Sequence, residues 1–133
     1  MTKRQTYKVG ATALNANTFV KLSSELLVVA SAATDKVIGV VEYAYAAGDW
    51  ASVIVEGQAE VLWGGTDTIV PGDGAALRSG TGGRAFLADA STDVVCAVAD
   101  IPIYDSSLGI DNFSTAGRLV PISLLPDKTR AIP

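Results

Sequence analysis

Two segments of this chain, 27–42 and 85–100, have nearly the same sequence, and this repetition limits the folds that the chain can adopt. They read LVVASAATDKVIGVVE and AFLADASTDVVCAVAD, and they align without a gap. Identical residues recur 58 positions apart, as at Thr34/Thr92 and Asp35/Asp93. A constant spacing of this kind is typical of one supersecondary unit that is used twice. We therefore predict two related units, at 14–57 and 72–126, within a single domain that spans 14–126.

The similarity continues beyond these segments, although the spacing changes. An Ala-Gly turn before an apolar run occurs at Ala47-Gly48 and again at Ala116-Gly117, where the offset has risen to 69 residues. The second copy therefore carries an insertion at about 101–115. Residues 1–13 lie outside the repeat and are predicted to form an extended N-terminal arm, and residues 127–133 a C-terminal tail.

The clearest single element is a strand from Ala51 to Trp63. Every odd position in this stretch is apolar or glycine, whereas the middle even positions are polar, as expected for a half-buried strand. Thirteen residues would extend about 43 Å, which is too long for a small domain to carry straight. We predict a bend at Gly57, with a hairpin turn there as the alternative. The same alternation predicts that Trp63 points into the core.

Other signals also favour strands. Apolar runs at 37–41 and 94–99 are typical of strands covered on both faces, and glycine-rich turns are predicted at 71–74 and 79–83. Pro121 interrupts the last apolar run and predicts that 119–125 is an edge strand or that a strand begins at the proline, because proline lacks a ladder N–H. The sequence thus predicts an all-β fold, a small β-barrel or β-sandwich built from two related β units with at most one short helix.

Composition argues against catalysis. The chain has no histidine and one cysteine, which removes the common acid–base groups and the ligands of a structural zinc site. Its acidic residues lack the spacing of a calcium-binding loop. We therefore expect no enzyme activity, no catalytic residues, no metal and no cofactor.

Charge and hydropathy limit the partners. Both ends of the chain are net basic, whereas the middle is strongly acidic, which disfavours binding to nucleic-acid phosphates. No apolar stretch reaches the roughly 18 residues that span a bilayer. The N-terminus has no apolar signal core, so we expect synthesis in a cytoplasm.

Several motifs together resemble the capsid decoration, or cement, proteins of tailed bacteriophages. These are TDKVIGVVE, AAGDWASVIVEGQAEVLWGG, VPGDGAALRSGTGGRAFLA, VVCAVAD and AGRLVPISLLP, and the resemblance covers about 14–126. It implies a small all-β protein that forms a homotrimer on the outside of an icosahedral head. Such a protein would bind the major capsid protein and stabilise the expanded shell, and it would be located on the virion.

Two groups of residues are candidates for binding. The basic N-terminal segment shows no internal pairing signal and is predicted to contact the capsid through Thr2, Lys3, Arg4, Gln5, Thr6, Tyr7 and Lys8. Trp50, Pro102 and Tyr104 are candidates for the subunit interface. The alternative function is a carbohydrate-binding or host-attachment module of a phage surface protein, which would require Trp50 or Trp63 to be exposed.

Overall fold

The computed structural model describes residues 2–64, 76–88, 92–100, 119–125 and the backbone of 130–131. The fold is all-β, as predicted, with a strongly curled antiparallel sheet. The strands are β1 (Lys3–Lys8), β2 (Thr18–Ser23), β3 (Leu26–Val29), β4 (Gly39–Val41), β5 (Trp50–Leu62), β6 (Ala76–Ser79), β7 (Ala85–Leu87), β8 (Val94–Val95), β9 (Ala97–Ala99), β10 (Leu119–Leu124) and β11 (Arg130–Ala131). Among these residues, no helix is long and apolar enough to cross a membrane.

Nine strands form one sheet in the order β3-β2-β4-β5-β10-β9-β6-β7, with β1 beside β5. Read from its two ends, this order pairs β3 with β7, β2 with β6, β4 with β9 and β5 with β10. The members of each pair are equivalent strands of the repeated sequence. The sheet therefore consists of two halves with the same strand order, and a separate pairing of β8 with β11 lies outside it.

The first half, which we call the first unit, comprises β1 to β4 and the beginning of β5. β1 runs antiparallel to β5, with Lys8 opposite Trp50 and Thr6 opposite Ser52. The next residue, Val9, then bridges Leu27 of β3. Because β3 also pairs with β2, this bridge joins the two ends of the unit and closes a ring of five strands.

The second unit repeats this arrangement with β5 in the role of β1. The end of β5 pairs with β10, with Leu62 opposite Leu119, and Trp63 then bridges Ala85 of β7. Both bridges are parallel, and a glycine follows the bridging residue in each unit. The Gly10 N–H donates to the Leu27 carbonyl at 2.9 Å, and the Gly64 N–H donates to the Ala85 carbonyl at 2.9 Å. The structural correspondence therefore reaches further toward the N-terminus than the sequence similarity does, and it includes β1.

β5 serves both units because it bends at Gly57. The strand is continuous from Trp50 to Leu62, and Gly57 has φ 99°, which a glycine adopts without strain. Before the bend, Val53 packs in one core and Ile54 in the other; after it, Val61 packs in the core of Ile54. The predicted bend is confirmed and the hairpin alternative is wrong.

Two hydrophobic cores result. The first-unit core fills the ring of the first unit and contains Val9, Leu14, Val20, Leu27, Val41, Ala51, Val53 and Val55. The central core fills the second unit and extends to the back of the first unit, from which it takes Phe19, Ala30, Val37, Val40 and Ile54. The first unit is thus buried on both faces of its sheet.

The turn between β6 and β7 fixes one unit against the other. It contains a 3-10 turn at Thr81–Gly83, as the glycine-rich sequence predicted, and Gly83 is buried with φ 75°. A Cβ on Gly83 would lie 2.6 Å from Val29 Cγ2 and 2.9 Å from Thr18 Cβ. Only glycine therefore allows this turn to approach β2 and β3 so closely.

Two expectations are corrected. The N-terminal segment does have an internal partner, because Lys3–Lys8 pairs along β5. β10 is an interior strand and not an edge strand, since it pairs with both β5 and β9. Pro121 is tolerated because its carbonyl accepts the Asp100 N–H at 3.0 Å, while its missing N–H removes only the reciprocal bond at the end of the β9 ladder.

Candidate functional site

β1 carries all but the first of the residues predicted to contact a capsid. Lys3, Arg4, Gln5, Thr6 and Lys8 are exposed, as is Thr2 just before the strand, and Tyr7 is half-buried against the first-unit core. Successive side chains of a strand point to opposite faces, so Tyr7 points inward and its two neighbours point outward. The segment is therefore an ordered strand that presents polar and basic side chains to solvent.

The outward side of β1 continues onto β5. Because Lys8 lies opposite Trp50 and Thr6 opposite Ser52, these side chains share one face of the sheet with Arg4. Trp50 is 68% exposed, which is unusual for an indole of this size. We call this surface, made of Arg4, Thr6, Lys8, Trp50 and Ser52, the basic face.

Arg4 does not contribute a free charge to that face. Its guanidinium forms an ion pair with Glu42, which follows β4. The cation that remains beside the indole is Lys8, for which no ion pair within the described residues is present. The basic face therefore offers a large aromatic surface with an ammonium group next to it.

An acidic groove lies mainly on the second unit, although Asn17 and Glu42 of the first unit also line it. It has a volume of about 560 Å³, and Asn17, Glu42, Gln58, Ala59, Glu60, Asp100 and Pro121 line it. Three carboxylates stand around it, and that of Glu42 is ion-paired with Arg4; the described lining residues themselves include no cation. Ala59 and Pro121 supply its small apolar surfaces. This groove has no local sequence signal, because its residues come from five separate parts of the chain.

The second-unit residues of the groove occupy positions equivalent to those of the basic face and its neighbour Glu42 in the first unit. The register that places Thr6 opposite Ser52 places Glu60 opposite Pro121 in the second unit. By the same correspondence Gln58 replaces Arg4, Leu119 replaces Trp50 and Asp100 replaces Glu42. One surface of the repeated unit has thus become basic and aromatic in the first copy and acidic in the second.

Asn17 joins the groove to the rest of the fold. It has φ 59°, a left-handed conformation that asparagine tolerates better than most residues. Its side-chain amide donates to the Glu60 carbonyl at 3.2 Å, and its own carbonyl accepts the Leu62 N–H at 2.9 Å. These bonds hold the end of β5 beside the first unit and so set the wall of the groove.

Each unit also contains the same ion pair. Lys21 contacts Asp35 at 2.9 Å, and at the equivalent place Arg78 contacts Asp93 at 3.4 Å. Burial on its own raises the pKa of Asp35, but hydrogen bonds from Lys21 and from the Ala32 and Ser31 N–H groups outweigh it and leave that pKa below its usual value. Each pair joins a strand, β2 or β6, to an aspartate in a later loop of the same unit and so stabilises the fold.

The loop that Asp35 organises contacts the second unit directly. Ala32 O accepts the Ser79 hydroxyl at 2.8 Å, and Ala33 O accepts the Val94 N–H at 2.9 Å. The Asp35 hydrogen bonds to the start of this loop therefore support the contact between the units as well as the first unit itself.

The other residues predicted as binding or interface candidates are Trp63, Pro102 and Tyr104. Trp63 is fully buried, as its position in the alternation predicted, so it cannot stack on a ligand. Pro102 and Tyr104 lie outside the described residues. No group of three acidic, cysteine or histidine side chains within the described residues is placed to hold a metal ion.

Comparison with known proteins finds a similar fold among solved structures. No protein-family model and no curated protein matches the chain. Among solved structures, the fold is similar to the crystal structure of the N base of head fiber gp8.5 in bacteriophage phi29, with a TM-score of 0.63 and 18% sequence identity. The match covers 96% of this chain and 98% of that chain. At this level of identity the likeness establishes a shared fold.

Proposed function

We propose that this protein is a non-enzymatic structural protein of a phage virion, which decorates the outer surface of the icosahedral capsid by binding the major capsid protein. The observation that carries the proposal is the likeness to the N base of a phage head fiber over nearly the full length of both chains. The match covers 96% of this chain and 98% of that chain, so the likeness extends over the whole fold and is not limited to a common hairpin. Fold alone does not establish function, so the proposal depends on the surface as well.

The surface supports an adhesive role. The described residues show two chemically distinct surfaces on one curled sheet, a basic face with an exposed indole and an acidic groove. Aromatic side chains exposed on a rigid strand are typical anchors of protein interfaces. A protein that binds the assembled lattice in many copies stabilises it by mass action.

β1 is the proposed capsid contact, through the Thr2–Lys8 segment. Its N-terminal end presents Lys3 and Gln5 to solvent, at the far end of the strand from Trp50. Removing residues 1–10 would be a poor test, because Val9 is 1% exposed in the first-unit core and its loss would disrupt the ring. Substitution at an exposed position separates binding from folding.

The experiment is co-sedimentation of the purified protein with expanded and unexpanded phage heads that lack it. We expect saturable binding to expanded heads, and weaker binding, by about tenfold, for Lys3→Glu. Lys36→Glu is the matched control, since Lys36 is also exposed but lies in the loop before β4. Absence of binding to expanded heads would reject the proposed function; equal binding by both variants would reject β1 as the contact.

A carbohydrate-binding or host-attachment module is the second candidate. One observation favours it, namely that Trp50 and Tyr43 are 68% and 66% exposed. Exposed aromatic rings can stack on the apolar faces of sugars. Glycan binding that is lost in Trp50→Ala, together with no binding to heads, would favour this candidate over the capsid role.

A further inference from the structure

We propose that the acidic groove of the second unit receives Trp50 and Lys8 from the basic face of a second copy of this chain, so that copies associate head to tail. This contact does not depend on the capsid role, and it assigns a specific partner to the groove. It also leaves Lys3 and Gln5, at the other end of β1, available for a different partner.

The chemistry of the two surfaces is complementary. The groove combines small apolar surfaces at Ala59 and Pro121 with carboxylates at Glu60 and Asp100. The basic face combines an apolar indole at Trp50 with an ammonium group at Lys8 on the neighbouring strand. An indole that enters the groove would place the ammonium group beside the carboxylates. A groove of about 560 Å³ is large enough for one such side chain.

The groove does not hold Trp50 of its own chain. Trp50 is not among the residues that line it, and its 68% exposure shows that little of the described chain covers the indole. The acidic rim also disfavours a phosphate-bearing partner. A second copy brings the required aromatic and cationic groups together on a rigid pair of strands.

The contact has a direction, because each chain carries one donor and one acceptor. At the positions equivalent to Trp50 and Lys8 the second unit has Leu119 and Leu62, which supply neither an indole nor a charge. At the position equivalent to Gln58 of the groove the first unit has the cation Arg4, so the first unit does not repeat the acidic groove. Such a contact joins two different surfaces, and repetition produces a closed ring or an open chain.

Native mass in solution tests the proposal. We expect the wild-type protein to be larger than one chain at about 50 μM and to dissociate as salt is added, because charge pairs at the rim are screened. Trp50→Ala removes the indole and should weaken association by about 30-fold or more, as for other central aromatic anchors. Glu60→Arg should weaken it similarly by reversing the charge of the groove. Tyr43→Ala is the matched control, because Tyr43 is equally exposed but lies outside the basic face, and it should leave the mass unchanged.

A mixing experiment distinguishes this contact from any symmetric one. Trp50→Ala keeps an intact groove and Glu60→Arg keeps an intact basic face, so neither variant should associate alone. Their equimolar mixture should form a complex of two chains and no larger species, since only one productive contact remains. A wild-type protein that stays monomeric at 50 μM, variants that keep the wild-type mass, or a mixture that stays monomeric would each overturn the proposal. Circular dichroism of each variant confirms that the strands are retained.

Discussion

The two units have the same strands in the same order, yet they bury different surfaces. The first unit has Phe19, Val40 and Ile54 on the back of its sheet, where the central core covers them. At the equivalent positions the second unit has Ala76, Val98 and Ser123, which are all half-exposed. The repeated pattern of strands therefore sets the order of the sheet, whereas the neighbour of each unit sets which of its faces is apolar.

The interiors of the two units differ in a related way. Val9 and Trp63 occupy equivalent positions at the parallel bridges, and Leu27 and Ala85 lie opposite them. A small residue facing a large one in the second unit replaces two residues of medium size in the first. Total volume is kept while its distribution changes, which cores tolerate better than a net gain or loss.

The largest expected effect comes from giving the first unit the residue of the second. Phe19→Ala copies Ala76 into the buried back of β2, where Phe19 has no exposed surface. Truncation of a buried phenylalanine removes apolar burial and leaves a cavity, and it should lower the free energy of unfolding by about 3–5 kcal/mol. Urea denaturation followed by tryptophan fluorescence measures the loss.

Val98→Ala provides the matched control for that comparison. Val98 lies on the back of the second unit, at the position equivalent to the buried Val40, but it is half-exposed. We expect a loss below about 1 kcal/mol, because solvent already reaches the side chain and no closed cavity forms. Similar losses for the two variants would mean that the backs of both units are covered alike.

Gly57→Ala tests whether the change of face along β5 depends on glycine. Gly57 has φ 99°, and a Cβ in this region strains the backbone. We expect a loss of about 1–3 kcal/mol in the free energy of unfolding. Gly48→Ala is the control, since Gly48 also has a positive φ but a Cβ there meets nothing within 4 Å. If Gly57→Ala and Gly48→Ala lower the free energy of unfolding equally, backbone strain at a positive φ explains both losses. The alignment of the two cores would then not depend on Gly57.

The pH dependence of stability should reveal the loop that joins the units. The pKa of Asp35 is lowered in the folded protein, so the unfolded chain takes up this proton first as the pH falls. The contribution of Asp35 to stability is therefore complete above about pH 4, the unfolded value, and is lost as the pH falls through the lower folded value.

The Asp35→Asn variant makes this measurable. The urea midpoint of the variant should lie below that of the wild type at pH 7, and the gap should shrink as the pH falls below about 4, the unfolded value. Glu25→Gln, which changes an exposed carboxylate in the turn after β2, is the control. Its urea midpoint should stay close to that of the wild type both at pH 7 and below pH 4. A gap for Asp35→Asn that stays constant with pH would show that the carboxylate charge is not the source of the effect.

The strands that alternate or repeat were predictable, and the contacts between distant strands were not. The alternation from Ala51 to Trp63 predicted the strand, its bend and the burial of Trp63. β1 has no apolar alternation, since its sequence is KRQTYK, and its pairing rests on backbone hydrogen bonds that side-chain patterns do not reveal. The equivalence of Gly10 with Gly64 was hidden for the same reason.

The candidate site also has one part that the sequence predicted and one part that it did not. The basic segment was visible because Lys3, Arg4 and Lys8 are close in sequence. The acidic groove was not visible, because Asn17, Glu60 and Pro121 meet only through the curl of the sheet and the register between β5 and β10. Charge complementarity between two surfaces appears only once both have been placed in space.

The smallest expected effect concerns the turns that connect the paired hairpins. The turn between β6 and β7 has glycine at both of its positive-φ positions, Gly82 and Gly83, whereas the turn between β2 and β3 uses Ser24 and Glu25 at φ 50° and 67°. A two-residue hairpin turn with both residues at positive φ favours Asn-Gly. The double substitution Ser24→Asn and Glu25→Gly should therefore raise the free energy of unfolding by about 0.5–1 kcal/mol, measured as a higher urea midpoint at an unchanged slope. Both residues are exposed and lie in a turn of the first unit, so an increase would show that this turn carries backbone strain. A decrease would mean that Ser24 or Glu25 stabilises the hairpin through its side chain.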